Sequence, residues 1–530
     1  ALVAGWGVPA QRTVLMMAVM AVLHAGGRRW PWPVVWVSAA ACITVFDPWA
    51  LWQPGFWLSF VAVAILMSSG REEGVLPNSE APTWRARVQE AAREMVRTQW
   101  RVTVALAPLA LVCFQEVSLV GVLANLVAIP VFTLGITPLA LLGVLWSPLW
   151  DVGAGLVQLT SAVLAHMAAW PWAVWQAPAL PGWAQAVAVG AGWLWVQPVP
   201  WRWRLWVLPC LLPVGFLPQG WQIVPPPPTG QFSVMAVDIG QGTAVLLRTA
   251  RHSLLFDTGA RLPSGVDMGE RVLVPLLRTL GVRELDALMI SHADSDHVGG
   301  ARSVLAALPV HALHSTLDET HEVRQWQRPR RRGAVPHTPC VAGQYWFWDG
   351  VRFEVLHPTL DDTERRDRLA PNALSCVLRV STSGAEPRSV LLTGDIEAAQ
   401  ERALLARAPT PGVTLRSTVL IAPHHGSQTS STQEFLEAVQ PEQTLVQVGR
   451  RNRYGHPAPT VLARYQGLGL PVMATPACGA WLWRSDERPR TPSSNLHGAD
   501  PPSLVLGQCW RTVSPRYWDL SEPAVITTAR

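Results

Sequence analysis

Two patterns of hydrophobic and polar residues divide the 530-residue chain. The first part consists of long apolar runs, and between Val102 and Pro200 the only carboxylate or guanidinium side chains belong to Glu116 and Asp151. Such runs are typical of helices that cross a bilayer. In the second part, short apolar runs alternate with turn residues, a pattern that predicts strands separated by helices and loops. The sequence therefore predicts a membrane region followed by an α/β region.

The first part, residues 1–220, is predicted to be a polytopic α-helical membrane domain. Its candidate spans are apolar and often end near Trp, and they lie at about 13–26, 34–50, 55–69, 102–118, 119–147, 152–176, 183–199 and 205–218. Segment 84–101 carries five Arg and two Glu among regularly spaced apolar residues. It is interpreted either as an amphipathic helix on the membrane surface or as a solvated helix.

The positions of arginine indicate the orientation in the membrane. Arg28 and Arg29 mark one cytoplasmic loop, and Arg202 and Arg204 mark another, because basic residues concentrate on the cytoplasmic side. One further span would place the second part of the chain on the non-cytoplasmic side. The chain begins at Ala1 within hydrophobic sequence, so it is interpreted as a fragment of a longer protein.

A Pro-rich linker, residues 221–230, leads to a layered α/β domain that is predicted to cover residues 231–486. The predicted strands are residues 232–237, 244–247, 253–256, 287–290, 353–356, 376–380, 389–392, 417–421 and 444–448. Helices are predicted at residues 299–308 and 397–407. Residues 487–530 are rich in Pro, Ser and Arg and are predicted to form a loosely ordered tail.

Composition adds three observations. The mean hydropathy of +0.20 and the 49% apolar content exceed those of a typical soluble globular protein. The net charge is +5 and every basic residue is Arg, which favours bidentate phosphate contacts but also results from codon usage in a GC-rich genome. The seven Cys are scattered without a Cys-x-x-Cys pair, and they are interpreted as buried apolar residues rather than a disulfide or zinc framework.

Residues 292–297 carry the strongest chemical signal, since they read His-Ala-Asp-Ser-Asp-His directly after an apolar run. A strand that ends in a tight loop can direct His292 and Asp294 at one cation, while Asp296 and His297 serve a second. Packing requires no such density of metal-capable side chains. The motif therefore indicates a metallohydrolase.

Further candidate ligands follow other predicted strands. They lie at or beside Gly-containing turns and are Asp238, Asp257, Asp395, His424, His425 and His456. A single Asp at a strand end is usually a turn residue, and a single His is usually a satisfied core or surface residue. Repetition after successive strands favours one shared metal site instead.

These motifs, in this order, resemble the ComEC family of bacterial DNA-uptake channels. The soluble part matches in Asp-Ile-Gly-Gln-Gly, Phe-Asp-Thr-Gly, His-x-Asp-x-Asp-His, Thr-Gly-Asp, His-His-Gly-Ser and Tyr-Gly-His-Pro, and the membrane part in Pro-Gly-Phe-Trp-Leu-Ser-Phe at residues 54–60. The resemblance covers about residues 1–486 and implies a membrane competence domain followed by a metallo-β-lactamase-like αββα sandwich. It also implies that the family's N-terminal oligonucleotide/oligosaccharide-binding-like domain and first helices are missing from this sequence.

The resemblance implies one or two divalent cations, Mn or Zn. The implied ligands are His292, Asp294, Asp296, His297, Asp395, His424, His425 and His456, and the choice between His424 and His425 stays open. Asp294 stands where the wider superfamily has His, which favours a harder cation than Zn²⁺. The superfamily's third His motif is absent, and Asn372 takes its place. Supporting residues are expected to be Asp238, Gln241, Asp257, Asn372 and Ser375.

If the site is catalytic, its cations would activate water for attack on a phosphodiester. The resemblance implies that Asp296 orients the nucleophile, and His425 or His456 can protonate the leaving group. DNA contacts are expected from Arg side chains around Trp326 and beside the last His motif, with a solvated loop as the alternative. These residues are Arg324, Trp326, Arg328, Arg330, Arg331, Arg332, Arg450, Arg451 and Arg453.

The resemblance thus implies a multi-pass bacterial inner-membrane channel that imports single-stranded DNA and carries a nuclease for the strand that is not imported. The resemblance implies membrane lipid, a DNA-receptor protein and a cytoplasmic translocation ATPase as partners, and a homo-oligomer. One alternative is a DNA transporter whose soluble domain only gates or docks DNA. Another is a membrane-anchored metallohydrolase of small esters.

Overall fold

A computed structural model describes the chain at residues 8–26, 30–69, 84–114, 116–170, 172–176, 182–197, 200–206, 209–210, 224–263, 265–326, 334–384, 386–408, 414–487, 506–513 and 525–527. The chain divides into two units, Ala1–Trp221 and Gln222–Arg530. The division falls at the start of the Pro-rich segment. Each unit is described by itself.

The first unit is helical. Its α-helices are Val8–Ala25, Trp32–Phe46, Pro54–Ser69, Trp84–Phe114, Gly121–Pro130, Thr137–Leu142, Pro148–Ala168, Gly182–Val196 and Trp201–Leu205. A 3₁₀ helix covers Pro48–Trp52, and a π-helical segment, Val131–Ile136, joins its two neighbours into one continuous run. Strands β1 (Glu116–Ser118) and β2 (Val174–Gln176) form an antiparallel pair.

Among the described helices, the run Gly121–Leu142 is the one that is long and apolar enough to cross a membrane by length and composition. Its 22 residues lie within the predicted span 119–147. Three apolar helices are shorter, at Ala10–Leu23, Trp32–Phe46 and Pro54–Met67. The predicted span 205–218 falls mostly outside the described residues.

Two predicted spans differ from the observed helices. The charged segment 84–101 and the span 102–118 form one helix, Trp84–Phe114, because neither Gly nor Pro occurs between Trp84 and Ala107. The charged segment is therefore not a separate helix. The span 152–176 is shorter than predicted, since its helix ends at Ala168 and Pro171 cannot continue it.

The second unit is built from sixteen described strands in two sheets of eight. They are β3 (Ser233–Ala236), β4 (Val245–Arg248), β5 (Ser253–Phe256), β6 (Leu285–Ile290), β7 (Val310–Ser315), β8 (His337–Pro339), β9 (Tyr345–Trp348), β10 (Val351–His357), β11 (Val377–Ser381), β12 (Ser389–Leu392), β13 (Val419–Ile421), β14 (Gln443–Val446), β15 (Val472–Ala474), β16 (Trp481–Arg484), β17 (Gln508–Cys509) and β18 (Val525–Thr527). One sheet has the order β17-β16-β3-β4-β5-β6-β7-β8, and the other has the order β18-β15-β14-β13-β12-β11-β10-β9.

The sheets pack face to face, and helices cover their outer faces. Val234 of β3 and Val390 of β12 belong to the apolar layer between the sheets. Leu277 and Val304 pack helices onto the outer face of the first sheet, and Leu436 packs a helix onto the second. The covering helices include Val274–Thr279, Ala301–Ala307, Ala398–Arg407, Gln433–Val439 and Pro459–Gly467. The predicted αββα sandwich, with its metallo-β-lactamase fold, is confirmed.

Parallel strands position the candidate ligands. Strands β5 to β8 run parallel in one sheet, and β12 to β15 run parallel in the other. The predicted metal ligands all follow the carboxyl ends of β6, β12, β13 and β14. Because such ends meet at one edge of an α/β layer, side chains that are distant in sequence converge there.

The interpretation of the cysteines is wrong for four of the seven. Disulfides join Cys340 to Cys376 and Cys478 to Cys509. Cys340 follows β8 and Cys376 precedes β11, while Cys509 lies in β17 and Cys478 follows β15. The first bond therefore connects one sheet to the other, whereas the second joins β17 to the connection between β15 and β16, which leads from one sheet to the other. The sequence hid these pairs because separations of 36 and 31 residues leave no local spacing signal.

Parts of the predicted tail are ordered. Residues 506–513 include β17, which carries Cys509, and residues 525–527 form the edge strand β18. The unit thus uses segments beyond residue 486 to complete both sheets.

Helix Ser295–Val298 precedes helix Ala301–Ala307, where one helix at 299–308 was predicted.

Candidate metal centre

The loop after β6 brings two histidines into the interior. Helix Ser295–Val298 begins five residues after the strand ends at Ile290, so the chain turns sharply. His292 and His297 are fully buried, and their ring centroids lie 4.2 Å apart. Two buried imidazoles in contact require partners for four ring nitrogens.

Asp257, directly after β5, orients one of these rings. Its carboxylate accepts hydrogen bonds from the backbone N–H and the hydroxyl of Ser291, both at 2.7 Å. The same carboxylate lies 2.7 Å from Nδ1 of His297. A carboxylate on one imidazole nitrogen fixes the tautomer and aims the other nitrogen at a metal. Nε2 of His297 accordingly faces Asp395, 3.1 Å from Oδ1.

The turn after β12 carries Asp395. Gly394 has φ +54°, and a Cβ there would lie 2.9 Å from Cβ of Ser291 and 3.0 Å from Cβ of Ser375, so only glycine fits. The backbone N–H of Asp395 donates to the Ser375 hydroxyl at 3.1 Å. That hydroxyl is 3.3 Å from Nδ1 of His292. Ser375 therefore links the loops that carry His292 and Asp395.

The turn after β13 directs His425 into the same place. His424 and His425 both have positive φ, at 48° and 54°, a conformation that costs non-glycine residues about 1–3 kcal/mol each. Nδ1 of His425 donates to the carbonyl of Gln447 at 2.8 Å. Its Nε2 lies 3.4 Å from Oδ2 of Asp296 and 3.5 Å from Oδ2 of Asp395.

Four buried polar atoms in this cluster lack a hydrogen-bond partner: Nε2 of His292, His297 and His425, and Oδ1 of Asp395. Nε2 of His297 and Oδ1 of Asp395 are close but poorly aligned for a hydrogen bond, as expected for two metal-ligand atoms that face one shared cation position. Buried polar groups are rarely left unsatisfied. Three imidazoles held through Nδ1, together with a buried carboxylate, fit a divalent cation.

The donor atoms form two overlapping groups. His292, His297 and Asp395 make one, and Asp296, His297 and His425 make the other, each with donors within 4.8 Å of one another. These separations are close to what ligand bonds of about 2.0–2.2 Å can span. His297 has one free nitrogen, because Asp257 occupies the other, so it can bind only one cation. The described residues thus supply one complete set of ligands and one incomplete set.

The electrostatics of this ligand cluster favour a bound cation. Burial opposes the charged form of His297, but Asp395 and Asp257 outweigh it and raise the pKa of the ring well above its usual value. Burial likewise opposes ionisation of Asp395, but His297 and His425 hold its pKa well below the usual range. Nearby imidazoles lower the pKa of Asp296 to about 2 against the same desolvation. The carboxylates therefore stay ionised and attract a cation.

Three predicted ligands lie at the margin. Asp294 is 3.6 Å from Nε2 of His292, but its side chain is 46% exposed and it belongs to neither donor group. His424 points Nδ1 at Glu397, 3.3 Å away, and its Nε2 is 3.8 Å from Asp395. His456 stacks on Tyr454 and lies 5.9 Å from His424 between ring centroids. Of the adjacent histidines, the geometry favours His425 over His424.

The expected supporting residues have different surroundings. Asp257 and Ser375 contact the buried histidines, as described above. Asp238 pairs with Arg511 at 3.0 Å instead, and Gln241 accepts from the backbone of Gly449 at 3.2 Å. The carbonyl of Asn372 accepts from the backbone N–H of Ser375 at 3.1 Å. The side-chain Oδ1 of Asn372 is a buried atom and has no hydrogen-bond partner.

The predicted DNA-binding residues are only partly described. Arg450, Arg451 and Arg453 are exposed beside the His456 turn. Trp326 packs against the outer core with the guanidinium of Arg302 over its ring, 5.8 Å from the centroid, so one face of the indole is covered. Arg328, Arg330, Arg331 and Arg332 lie outside the described residues.

Two positioning groups were missed. Ser291 bonds Asp257 and approaches both buried histidines, at 3.0 Å from Nδ1 of His292 and 3.2 Å from Nδ1 of His297. Gln447 holds His425 through its backbone carbonyl. Ser291 adjoins the His motif, so its position gave the only signal. Every residue has a backbone carbonyl, so the sequence offers no signal for the role of Gln447.

Comparison with known proteins supports both parts of the chain. Residues 1–203 match the competence protein family, and residues 237–450 match the metallo-β-lactamase superfamily. The chain is 37% identical over 493 residues to competence protein ComA of Neisseria gonorrhoeae, covering 91% of this chain and 62% of that protein. It is 30% identical over 486 residues to the uncharacterized protein YcaI of Escherichia coli K12, covering 89% and 58%.

ComE operon protein 3 of Bacillus subtilis is 25% identical over 526 residues, covering 90% of this chain and 62% of that protein. Among solved structures, Igni18, a metallo hydrolase from Ignicoccus hospitalis, is 14% identical and matches with a TM-score of 0.33, covering 48% of this chain and 100% of that one. The chain spans about three fifths of the length of the curated relatives it matches.

The fold and site define a metallo-β-lactamase sandwich that follows a competence domain in one chain. Both matches occur in the order that the motifs predicted. The chain belongs to the ComEC family of competence proteins.

Proposed function

We propose that the chain is a multi-pass inner-membrane component of bacterial DNA uptake. In this proposal, the helical unit passes single-stranded DNA, and the sandwich is a metal-dependent nuclease that degrades the strand left outside. Family membership supports the role in uptake. The observation that carries the nuclease is the set of unsatisfied donors on His292, His297, His425 and Asp395.

Exposed apolar surface supports the membrane assignment. On the run Gly121–Leu142, Leu134 is 78% exposed and Leu141 is 68% exposed. Water does not favour such surfaces, whereas lipid covers them without cost. The helical unit is therefore proposed to lie in the bilayer.

The disulfides support a location for the sandwich. Bonds between Cys340 and Cys376, and between Cys478 and Cys509, persist in oxidising compartments and are rare in the cytosol. The arginine pattern independently predicts the same side of the membrane. The sandwich is therefore proposed to face the non-cytoplasmic side, where incoming DNA arrives.

The proposed ligands of one tightly held cation, Mn²⁺ or Zn²⁺, are His292, His297 and Asp395. His425 and Asp296 would complete its surroundings or hold a second, weaker cation. When bound, such a cation polarises a phosphodiester and lowers the pKa of water. The chain's own contribution is to position these groups: Asp257 fixes His297, and the Gln447 carbonyl fixes His425.

Residues at the rim are proposed to handle substrate. Asp296 is 27% exposed and lies between the buried donors and solvent, where it can orient a water molecule. His456 is half-buried, and burial lowers the pKa of its ring, which keeps it neutral at pH 7. Arg450, Arg451 and Arg453 are exposed nearby and can contact phosphates. A DNA receptor, a translocation ATPase and further copies of the chain remain the partners expected from the resemblance.

A second candidate is a DNA channel whose sandwich docks DNA without cutting it. The absence of a third ligand histidine at Asn372 and the single free nitrogen of His297 favour it, because both limit the number of cations. The two candidates differ in what they predict for Asp395. Loss of its carboxylate would remove cleavage in the first and leave uptake intact in the second.

The test uses the purified full chain in detergent and its Asp395→Asn variant, with labelled duplex DNA and Mn²⁺, Zn²⁺ or Mg²⁺. Wild type should cut with at least one cation, and Asp395→Asn should reduce the rate on the order of 100-fold or more. Asp361→Asn removes an exposed carboxylate paired with Arg365 and is the matched control. Absence of cleavage by wild type with every cation would leave the docking role as the better account.

A further inference from the structure

A small, partly open cavity lies beside the metal centre in the sandwich. Its volume is about 60 Å³. The side chains that give it chemical character are Ser315, Thr316, Arg324, His337 and Arg366. A water molecule takes about 30 Å³ in the liquid, so the cavity admits one small polar group and excludes a nucleobase.

Two guanidiniums give the cavity a surplus of positive charge. Arg366 donates to the backbone carbonyl of Thr316, and Arg324 donates to that of Leu317 at 3.3 Å. The carboxylate nearest to Arg324 belongs to Glu319, 3.8 Å away and 86% exposed. Carbonyl partners hold both guanidiniums in place without neutralising them. Among the described residues, no carboxylate forms an ion pair with Arg366 within 4 Å.

The polar side chains without a charge that line the cavity are compatible with an anion. Nε2 of His337 contacts the Ser315 hydroxyl at 2.9 Å. Burial, together with the positive charge of Arg324, lowers the pKa of His337 to about 4, so the ring is neutral at pH 7. Hydrogen bonds from the backbone N–H and hydroxyl of Thr320, at 2.9 and 2.8 Å, hold Asp318 and lower the pKa of its carboxyl, to which the charges of Arg366 and Arg324 also contribute. This exposed carboxylate offsets part of the positive charge but does not line the cavity. Among the described residues that line the cavity, none is acidic.

The cavity adjoins the proposed cation ligands. The hydroxyl of Thr316 donates to the carbonyl of Ser291 at 3.0 Å, and Ser291 immediately precedes His292. On its other side, the cavity is lined by Leu374 and Cys340. Leu374 precedes Ser375, which contacts His292 and Asp395. A group bound in the cavity would therefore lie one layer of residues away from the metal centre.

We infer that this cavity binds a phosphate of the nucleic-acid strand that is processed at the metal centre, at a position neighbouring the reacting phosphate. The inference rests on the proposed function and adds a subsite to it. Arg324 and Arg366 bind the phosphate oxygens, since guanidiniums match them in charge and geometry. Neither base identity nor sequence is read, because no base enters.

The test measures binding rather than cleavage, so that it does not depend on nuclease activity. The full chain in detergent, kept in EDTA, is titrated with a fluorescent single-stranded oligonucleotide at several salt concentrations. Arg366→Gln and Arg324→Gln should each weaken binding roughly tenfold at low salt. Each should also reduce the slope of log K against log salt by about 0.7, the value of one lost phosphate contact on a single strand.

The matched control is Arg365→Gln. Arg365 adjoins Arg366, and its substitution removes the same charge. Its side chain, however, is 64% exposed and pairs with Asp361 at 2.9 Å. It should leave the salt slope unchanged. Equal slopes for Arg365→Gln and Arg366→Gln would overturn the inference and leave the proposed function intact. If the wild type does not cleave DNA, and only Arg324→Gln and Arg366→Gln reduce the salt slope, the nuclease proposal is refuted and the phosphate-binding cavity is retained.

Inorganic phosphate distinguishes a strand phosphate from a free anion. It should compete with the oligonucleotide more strongly than chloride at equal ionic strength, and this excess should vanish in Arg366→Gln. If phosphate competes in this way but the salt slope for the oligonucleotide is unchanged in both cavity variants, the cavity takes a free anion and the strand assignment is wrong. Thermal unfolding of each variant establishes that the fold is retained.

Discussion

At the scale of single residues, one nitrogen decides how many cations the site can hold. Asp257 occupies Nδ1 of His297, so only Nε2 is free, although two donor groups share it. A divalent cation bound by His292, His297 and Asp395 leaves Asp296 and His425 for any second cation. Two protein ligands bind a cation weakly compared with three or four. The residues therefore favour one strong site.

Adjacent histidines provide a direct test of this arrangement. His425→Ala should lower the affinity of the full chain for Mn²⁺ or Zn²⁺ by 10-fold or more, because Nε2 of His425 lies among the buried donors. His424→Ala shares the backbone strain and the residue type but should change the affinity by less than about 3-fold, within the range of rim effects. Metal competition with a chromophoric chelator measures both. The reverse order would show that His424 is the ligand.

Asp257 should matter as much as a ligand although it does not bind metal. Asp257→Asn removes the carboxylate that fixes Nδ1 of His297, and loss of such a partner costs about 10–100-fold in metal affinity. Asp238→Asn is the control, since Asp238 also ends a strand but pairs with Arg511. Its metal affinity should equal that of wild type. The same chelator competition separates the two, and equal losses would contradict the orienting role.

The sequence predicted the side chains of this site better than their supports. His292, Asp296 and His297 were identifiable because three polar residues in one short loop have no structural explanation. The carbonyl of Gln447 could not be identified, since every residue has one. Asn372 was expected to support the ligands; its backbone carbonyl accepts from Ser375, and its side-chain Oδ1 is buried without a hydrogen-bond partner.

At the scale of elements, turns set the geometry more than strands do. Gly242 has φ +120°, and a Cβ there would lie 2.2 Å from the carbonyl oxygen of Asp296. This position therefore requires glycine, because a Cβ would displace the loop after β6. Gly240 also has positive φ, +76°, but a Cβ there would meet nothing within 4 Å.

These two glycines separate steric crowding from backbone strain. Gly242→Ala should displace the loop that bears Asp296 and reduce metal affinity at least 10-fold. Gly240→Ala should cost about 1 kcal/mol of stability through its φ alone and leave metal affinity unchanged. Metal affinity is measured by chelator competition and stability by pulse proteolysis of the full chain. Equal metal affinity in both variants would show that the close approach to Asp296 is unimportant.

Strand prediction failed where alternation was weak. Strand β9 reads Tyr-Trp-Phe-Trp, which has no polar positions, and His311 and His314 interrupt the pattern of β7. The signal that was present is the turn: Asp349 and Gly350, with φ of 49° and 83°, form the two-residue connection between β9 and β10. Asp-Gly between apolar runs is typical of such hairpins.

Asp349 also connects the two sheets and predicts a pH dependence. Burial opposes its ionisation, but hydrogen bonds from Thr249, His252 and Arg251 lower its pKa well below the usual value. A depressed folded-state pKa stabilises the fold above the unfolded value of about 3.9. That stabilisation is lost as pH falls through the folded-state pKa.

The variant Asp349→Asn keeps the shape and tolerates the positive φ but loses the charge. We expect it to lower the free energy of unfolding by about 1–2 kcal/mol between pH 5 and 7. The difference from wild type should shrink as pH falls below about 4, because the Asp349 carboxylate of the unfolded chain then begins to accept a proton while that of the folded chain is still ionised. Pulse proteolysis of the full chain across this range measures it. A difference that grows in acid would contradict the assigned direction.

At the scale of the whole molecule, the disulfides that stabilise the sandwich also bear on the cellular compartment in which it lies. The Cys340–Cys376 disulfide joins one sheet to the other, the Cys478–Cys509 disulfide joins β17 to the connection between the sheets, and Cys376 directly follows Ser375 at the metal centre. Closing loops of 36 and 31 residues stabilises the fold by about 4 kcal/mol per bond in the chain-entropy account. A sandwich that depends on these bonds is suited to the oxidising side of the membrane.

Alkylation in cells tests this orientation without any assumption about catalysis. Cells expressing the full chain are denatured in the presence of an alkylating reagent, and the peptides are mapped by mass before and after reduction. Cys42, Cys113 and Cys210, which are free in the structure, should be alkylated at once, whereas the four disulfide cysteines should react only after reduction. The three free thiols serve as the internal control for reagent access. Immediate alkylation of all seven would place the sandwich in the reducing cytosol, because disulfides do not persist there. The proposed nuclease would then meet DNA only after import, and degradation of the strand left outside would require another protein.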